Sequence, residues 1–172
     1  MKSVPADLAP PVVATAVGPS FEDFYRAQAG RVHRALAVTL ADADVAREAT
    51  DEAMARACAR WGRVSELDNP GGWVYRVGLN WATSWWRKVG RERPFSVDDH
   101  GGLLPPVEPG ATTALVALRG LGTHHRAVVV CRVLLDLSVA ETAVVLAISE
   151  GTVKSRLARA LAALRTALSE ES

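Results

Sequence analysis

Residues 138–168 read SVAETAVVLAISEGTVKSRLARALAALRTAL. Apolar and small residues recur every three or four positions up to Leu146, the period fails at Ala147-Ile148-Ser149, and it resumes from Glu150. The pattern is helix, short turn, helix, with Ser149 placed to N-cap the second helix. At about 100° per residue, Val153, Leu157, Ala160, Leu161, Leu164 and Leu168 share one arc and are expected to face a core. Thr152, Lys154, Ser155, Ala158 and Arg159 lie on the opposite arc, with Arg156 at its edge. Small residues beside long cations let a helix sink into a major groove, where hydroxyls and cations reach base edges and phosphates. Arg132, on the preceding helix, is a candidate to pin the DNA backbone. The same pattern also fits an amphipathic bundle helix whose basic residues only solubilise it.

Outward from this motif, nearly every segment from Phe21 to Arg165 has a helical period, and proline and glycine fall between segments. Helices are expected over about 21–40 with Ser20 as N-cap, 42–61, 70–89 after Asn69-Pro70, 114–121, 124–135, 138–146 and 150–169. Residues 94–113 break the pattern with Pro94, Pro105, Pro106, Pro109 and a scatter of glycines. A linker of about 20 residues is too long for a loop inside one compact domain. The expected architecture is all-α: a flexible leader at 1–19, a helical domain at 20–93, a flexible linker at 94–113 and a helix-turn-helix domain at 114–169.

At 172 residues, 49% hydrophobic and 23% charged, the chain has the composition of a soluble globular protein. No apolar run approaches the roughly 20 residues of a membrane span. Pro5, Asp7, Pro10 and Pro11 interrupt any signal-peptide core, so the expected location is cytoplasmic, with no membrane insertion. Cys58 and Cys131 form no paired motif, and His33, His100, His124 and His125 have no partners at ligand spacing. No metal, cofactor or catalytic role is expected, because no phosphate-loop, zinc-protease or nucleophile-elbow motif is present. The formal net charge of +1 hides segregation. Asp42, Asp44, Glu48, Asp51 and Glu52 make an acidic stretch, whereas Arg87, Lys88, Arg91 and Arg93, and later Lys154, Arg156, Arg159 and Arg165, make two basic ones. Two basic faces suit a polyanion and the acidic one suits a protein partner; three solvated helix faces would look alike.

The helix over 70–89 carries a second constellation. Arg76, Asn80, Thr83, Ser84 and Arg87 fall on one arc, Val74, Val77, Trp81 and Trp85 on another, and Tyr75, Leu79 and Trp86 on a third. A polar stripe bordered by aromatics suits single-stranded nucleic acid, held by stacking and phosphate charge, and an amide such as Asn80 can read an unstacked base. Packing is the plain alternative for Trp73, Trp81 and Trp85.

The stretch Asp68-Asn69-Pro70-Gly71-Gly72-Trp73-Val74-Tyr75-Arg76-Val77-Gly78-Leu79-Asn80, with Trp85-Trp86-Arg87-Lys88, resembles the promoter-melting helix of the extracytoplasmic-function group of sigma-70 factors. Asp136-Leu137-Ser138, Glu141-Thr142-Ala143 and Ser149 to Leu157 resemble the same group's minus-thirty-five helix-turn-helix. The Trp-Trp-Arg-Lys ending resembles the actinobacterial SigE-like branch. The resemblance implies a dissociable, non-catalytic subunit of bacterial RNA polymerase that directs promoter-specific initiation. Its first domain would melt the minus-ten element and its second would bind the minus-thirty-five element. It further implies that Tyr75, Arg76 and Asn80 hold the non-template strand and a flipped base, flanked by Thr83, Ser84 and Arg87. Lys154, Ser155, Ala158 and Arg159, with Thr152 and Arg156, would face the minus-thirty-five groove, and Arg132 would take a phosphate. Glu48, Asp51 and Glu52 would meet core polymerase. Promoter DNA and core polymerase are the implied partners, and an anti-sigma factor is a further one. Arg47, Asp51 and Ala49-Thr50 depart from the family's usual residues, as do His124-His125 and Ala147, which stands where a turn glycine is usual. Alanine fits a turn with negative φ and is strained in one with positive φ. A conventional helix-turn-helix regulator acting on duplex DNA without polymerase, and a decoy that occupies polymerase without reading DNA, are the competing readings.

Overall fold

The computed structural model describes residues 18–92 and 113–170; the leader and nearly all of the expected linker lie outside these. Helix α1 (Phe21–Leu40) begins where the Ser20 hydroxyl accepts the Asp23 N–H at 3.1 Å, and Glu22 and Asp23 occupy its positive end. It stops at Ala41, whose φ of 54° is left-handed. Asp42 then caps α2 (Ala43–Ala59) through the Val45 N–H at 2.9 Å. The 42–61 helix expected from periodicity is broken at Arg60, and Trp61–Val64 form a separate single turn, α3. The break turns the Trp61 ring onto Phe21 and Phe24, at 5.6 and 4.8 Å between centroids, while its indole N–H donates to the Pro19 carbonyl. Helix α4 (Pro70–Glu92) starts with proline in its first turn and the Asn69 side chain accepting the Gly72 N–H at 2.7 Å.

Helices α1, α2 and α4 pack around Val32, Leu36, Ala46, Ala49, Ala53, Ala57, Val74, Tyr75 and Ala82. The buried α2 face holds four alanines, Ala46, Ala49, Ala53 and Ala57, which allows close helix approach. At Gly78 the approach is closest: a Cβ there would stand 2.7 Å from Leu36 Cδ1 and 3.1 Å from the Ala49 carbonyl oxygen.

The second unit comprises α5 (Thr113–Arg119), α6 (Thr123–Val133), α7 (Val139–Leu146) and α8 (Glu150–Glu170). A capping box opens α7: the Ser138 hydroxyl accepts the Glu141 N–H, and the Glu141 carboxylate accepts the Ser138 N–H at 2.7 Å. That backbone bond, ahead of the Ser138 hydroxyl, holds the Glu141 carboxyl below its ordinary value. The box is therefore complete at neutral pH and weakens as pH falls through the lowered value. Ser149 caps α8 by accepting the Thr152 N–H at 3.1 Å.

The turn between α7 and α8 places Ala147 at φ 54°, ψ 46°, the left-handed conformation that strains alanine. Left-handed backbone costs an L-residue roughly 1–2 kcal/mol, and glycine gives back about 0.4–1 kcal/mol in unfolded-state entropy. Ala147→Gly is expected to stabilise the protein by about 0.5–1 kcal/mol, seen as a higher urea midpoint at unchanged slope; no gain would mean that the turn relaxes to negative φ.

The private core of the second unit is small: Val128, Ala143 and Val153, joined by Val139, Leu146, Ile148 and Leu157. Five of its other buried apolar residues, Val130, Cys131, Leu135, Leu137 and Val145, belong to the core of the first unit. The two units thus lie against each other, α6 on α1 and α7 on α4. On α8, the buried stripe is Val153 and Ala160 with Leu157 and Leu164 half-buried, whereas Leu161 and Leu168, expected in the core, are exposed. The observed stripe is narrower than the apolar arc, since among the described residues no helix covers one side of α8.

Candidate nucleic-acid interface

On α8, Lys154, Ser155, Ala158 and Arg159 are exposed, while Thr152 and Arg156 are half-buried at the margin. Thr152 is oriented by its contact with the capping hydroxyl, Oγ1 to Ser149 Oγ being 2.8 Å, and the Ser155 hydroxyl donates to the Thr152 carbonyl. The cap therefore holds the first turn, and among the described residues no acidic side chain is in salt-bridge contact with these cations. Arg132 is placed otherwise than expected. Its guanidinium donates to the Leu137 carbonyl, so it ties down the segment between α6 and α7 before any phosphate is present.

Helix α4 divides along its length. Asn80, Thr83, Ser84 and Arg87 all face solvent, with the Thr83 hydroxyl donating back to the Leu79 carbonyl. Trp81 and Trp85 border them as a stacked pair, centroids 6.4 Å apart and planes 14° from parallel. Trp81 packs partly on the core and Trp85 is exposed, which leaves aromatic surface beside the polar stripe. Such a surface offers a base stacking area and hydrogen bonds together.

The N-terminal half of α4 is different. Tyr75 is fully buried, a correction to its expected place on the strand-binding face. The buried side of α4 is Val74, Tyr75, Gly78 and Ala82, because two small residues bring this side nearest to α1 and α2. Thr39 donates its one hydroxyl proton to the Ala35 carbonyl at 2.9 Å, so Tyr75, 2.8 Å away, donates to Thr39. Cys131 of α6 lies close to the Tyr75 hydroxyl and is itself buried. Burial pushes the Tyr75 hydroxyl well up and the Cys131 thiol up to about 12, so both stay neutral. Arg76 is half-buried, and its guanidinium donates to the Val144 carbonyl of α7 at 3.2 Å.

Three arginines make the same kind of bond across the two units. Arg76 reaches the C-terminal turn of α7, Arg31 donates to the Leu134 carbonyl just past α6 at 3.1 Å, and Arg126 donates to the Thr39 carbonyl near the end of α1 at 2.9 Å. Helix ends carry unpaired carbonyls and partial negative charge, and a guanidinium from the neighbouring unit satisfies both. Arg126 is nearly buried, and it also donates to the Arg119 and Leu121 carbonyls and the Thr123 hydroxyl. Desolvation, then the neighbouring Arg119, lowers its pKa. The role of Arg126 across the two units was not visible in the sequence, because its partner there, the Thr39 carbonyl, lies 87 residues away in the chain.

Residues 114–164 match the family model described as Sigma-70, region 4. The chain is 33% identical over 151 residues to the RNA polymerase sigma-E factor of Streptomyces coelicolor, covering 86% of this chain and 85% of that one. The chain belongs to the extracytoplasmic-function group of the sigma-70 family. The RNA polymerase sigma-E factor of Streptomyces avermitilis is 34% identical over 157 residues, with 86% and 84% covered. The fold is shared with the sigma factor RpoE of Bartonella quintana, solved in complex with the anti-sigma factor NepR: the TM-score is 0.72 at 21% identity, covering 87% of this chain and 96% of that one. The molecule is thus an RNA polymerase sigma factor, and the competing reading as a polymerase-independent helix-turn-helix regulator is set aside.

In this sigma factor the acidic residues of α2 lie outside the core. Glu48 and Asp51 are exposed, and Glu52 is half-buried and paired with Arg56 at 2.7 Å, one turn on. That pair is solvent-accessible and contributes at most about 0.5 kcal/mol, so separating it costs little if a partner takes Glu52. No helix among the described residues is long and apolar enough to cross a membrane.

Proposed function

We propose that this sigma factor brings core RNA polymerase to promoters by reading two DNA elements with two helices, and that it has no catalytic activity of its own. The observation that carries the reading is the pair of solvent-facing arrays on separate units: cations and small residues on α8, and a polar stripe with stacked tryptophans on α4. Lys154, Ser155, Ala158 and Arg159 would enter the minus-thirty-five major groove, with Thr152 and Arg156 at its edge. Asn80, Thr83, Ser84 and Arg87 would hold the melted non-template strand of the minus-ten element, Asn80 reading a flipped base. Arg132 would reach a phosphate beside the Leu137 carbonyl it already holds. Glu48, Asp51 and Glu52 would dock on core polymerase in the cytoplasm. An anti-sigma factor, such as accompanies the Bartonella protein, is the further partner that likeness of fold supports.

Run-off transcription with purified core polymerase on a promoter library tests this directly. Promoter-dependent transcripts are expected with the complete protein, and none with core alone. Asn80→Ala is expected to leave minus-thirty-five docking intact and to reduce open-complex formation about tenfold, read by permanganate reactivity of unpaired thymines. Equal opening by both proteins would remove Asn80 from the strand-reading role. A decoy would bind polymerase and give no transcript.

A further inference from the structure

Resting on the reading just proposed, we infer that Tyr25 and Gln28, on the first half of α1, form a ledge for an unstacked base of the non-template strand downstream of the minus-ten element. Tyr25 would stack on the base and Gln28 would hydrogen-bond its edge. The ledge is built from the core outward. Phe24 is buried and holds the Trp61 ring, Trp61 meets Phe21 edge-on, and the Tyr25 ring lies tilted on Phe21 with centroids 6.1 Å apart. Tyr25 is the outermost ring, 44% exposed, and the rings behind it hold it in place, which suits a sequence-tolerant stack on a base. One turn along α1, the half-buried Gln28 side chain lies against the first turn of α4: a Cβ at Gly71 would stand 3.2 Å from its Oε1. Glycine leaves room for the amide there, and among the described residues the amide makes no hydrogen bond while its atoms stay open to solvent. A primary amide carries donors and an acceptor together, as pairing with a base edge requires.

Charge favours a polyanion on this ledge. The two acids in the first turn of α1 are engaged within that helix end, Glu22 by Arg26 and Asp23 by the Ser20 hydroxyl at 2.8 Å. Arg60 and Arg63, which flank Trp61 in the chain, are exposed, and among the described residues no acid is in salt-bridge contact with either. Phosphates on either side of the stacked base would meet these guanidiniums. Glu66 and Asp68 flank the exposed Leu67, and they keep the strand to the Tyr25 side.

The direction of the chain gives the position on the promoter. The C-terminal end of α4 leads on to the unit assigned to minus thirty-five, so that end points upstream and Gly71, at the other, points downstream. From Asn80 to Gly71 along α4 is about 14 Å at 1.5 Å per residue. That is about four nucleotides at the 3.4 Å spacing of a stacked strand, and fewer where the strand is extended. A strand leaving Asn80 toward the N-terminal end of α4 therefore comes first to Gln28 and then to Tyr25.

The test uses holoenzyme and fluorescent single strands carrying a minus-ten element that the holoenzyme selects from a randomised pool, either ending at the element or extended on its 3′ side by a run of thymidines. The extension is expected to tighten binding by wild-type holoenzyme about tenfold, the size of one base–aromatic stack. Tyr25→Ala is expected to lose that gain while binding the short strand as wild type does, and Tyr25→Phe, which keeps the ring, to retain it. Gln28→Ala is expected to keep most of the gain and to lose a several-fold preference among the four bases at one position of the extension. An extension that adds nothing to wild type, or a gain that survives Tyr25→Ala, overturns the ledge. An unchanged base preference in Gln28→Ala overturns the reading of the base edge. Weaker binding of Tyr25→Ala to core polymerase in the absence of DNA, with the extension gain intact, would assign the ledge to a protein partner and overturn it as well. Binding of the extended strand that depends on Tyr25 but not on Asn80 would instead strike the proposed minus-ten reading and leave the ledge standing.

Discussion

Replacing Lys154 and Arg159 together by alanine is expected to weaken holoenzyme binding to a minus-thirty-five duplex by tenfold or more at physiological salt. Both side chains are exposed on α8. Each phosphate contact displaces about 0.9 of a counterion, so losing two should flatten the slope of log affinity against log salt by about 1.8. If either cation reads a base edge instead, its loss costs roughly 1–3 kcal/mol and relaxes sequence preference at one position while changing the slope less. A salt titration on matched and mismatched duplexes separates the two roles. Fold stability should move by no more than about 0.5 kcal/mol, as for surface positions generally. An unchanged slope together with unchanged affinity would mean that this face of α8 does not touch DNA.

Gly78→Val is expected to destabilise the first unit by about 3 kcal/mol, and Gly78→Ala by up to about 2 kcal/mol. Alanine gains about 1 kcal/mol of helix propensity over glycine. Against that stands its Cβ, 2.7 Å from the buried Leu36 side chain and 3.1 Å from a backbone carbonyl that cannot swing away. Overpacking of this kind costs typically 1–3 kcal/mol, and valine adds two branches where alanine already has no room. Urea unfolding with an unchanged m-value measures the effect. A stabilised Gly78→Ala protein would show that α4 lies farther from α1 and α2 than described.

Most helices were legible in the sequence because their ends are written in side chains. Ser20 and Ser149 cap the helices that follow them as the sequence predicts, and Asp42 and Ser138, read as first helical residues, are also caps, each accepting an N–H of the first turn. The exposed part of the candidate site was legible for the same local reason, since a face of Lys154, Ser155, Ala158 and Arg159 needs only helical geometry to exist. Tyr75 shows where such reasoning stops. Its expected place follows from the family resemblance, but the closest packing follows two small residues, Gly78 and Ala82, which carry little weight in a hydrophobic pattern. Leu161 and Leu168 show the converse: an apolar arc is buried only as far as there is a neighbour to cover it.

The sequence by itself determined the helices, their caps, the strained Ala147 turn as a possibility and the two polar arrays, all of which depend on residues within a few positions of each other. Only the tertiary structure decided that Tyr75 and Arg76 face inward, that Arg132 holds a loop, and that Arg31, Arg76 and Arg126 join the two units through each other's helix ends. Those contacts pair atoms 68 to 103 residues apart in the chain. No local periodicity carries information about which distant carbonyl a guanidinium will find, because the choice is made by how two finished surfaces meet.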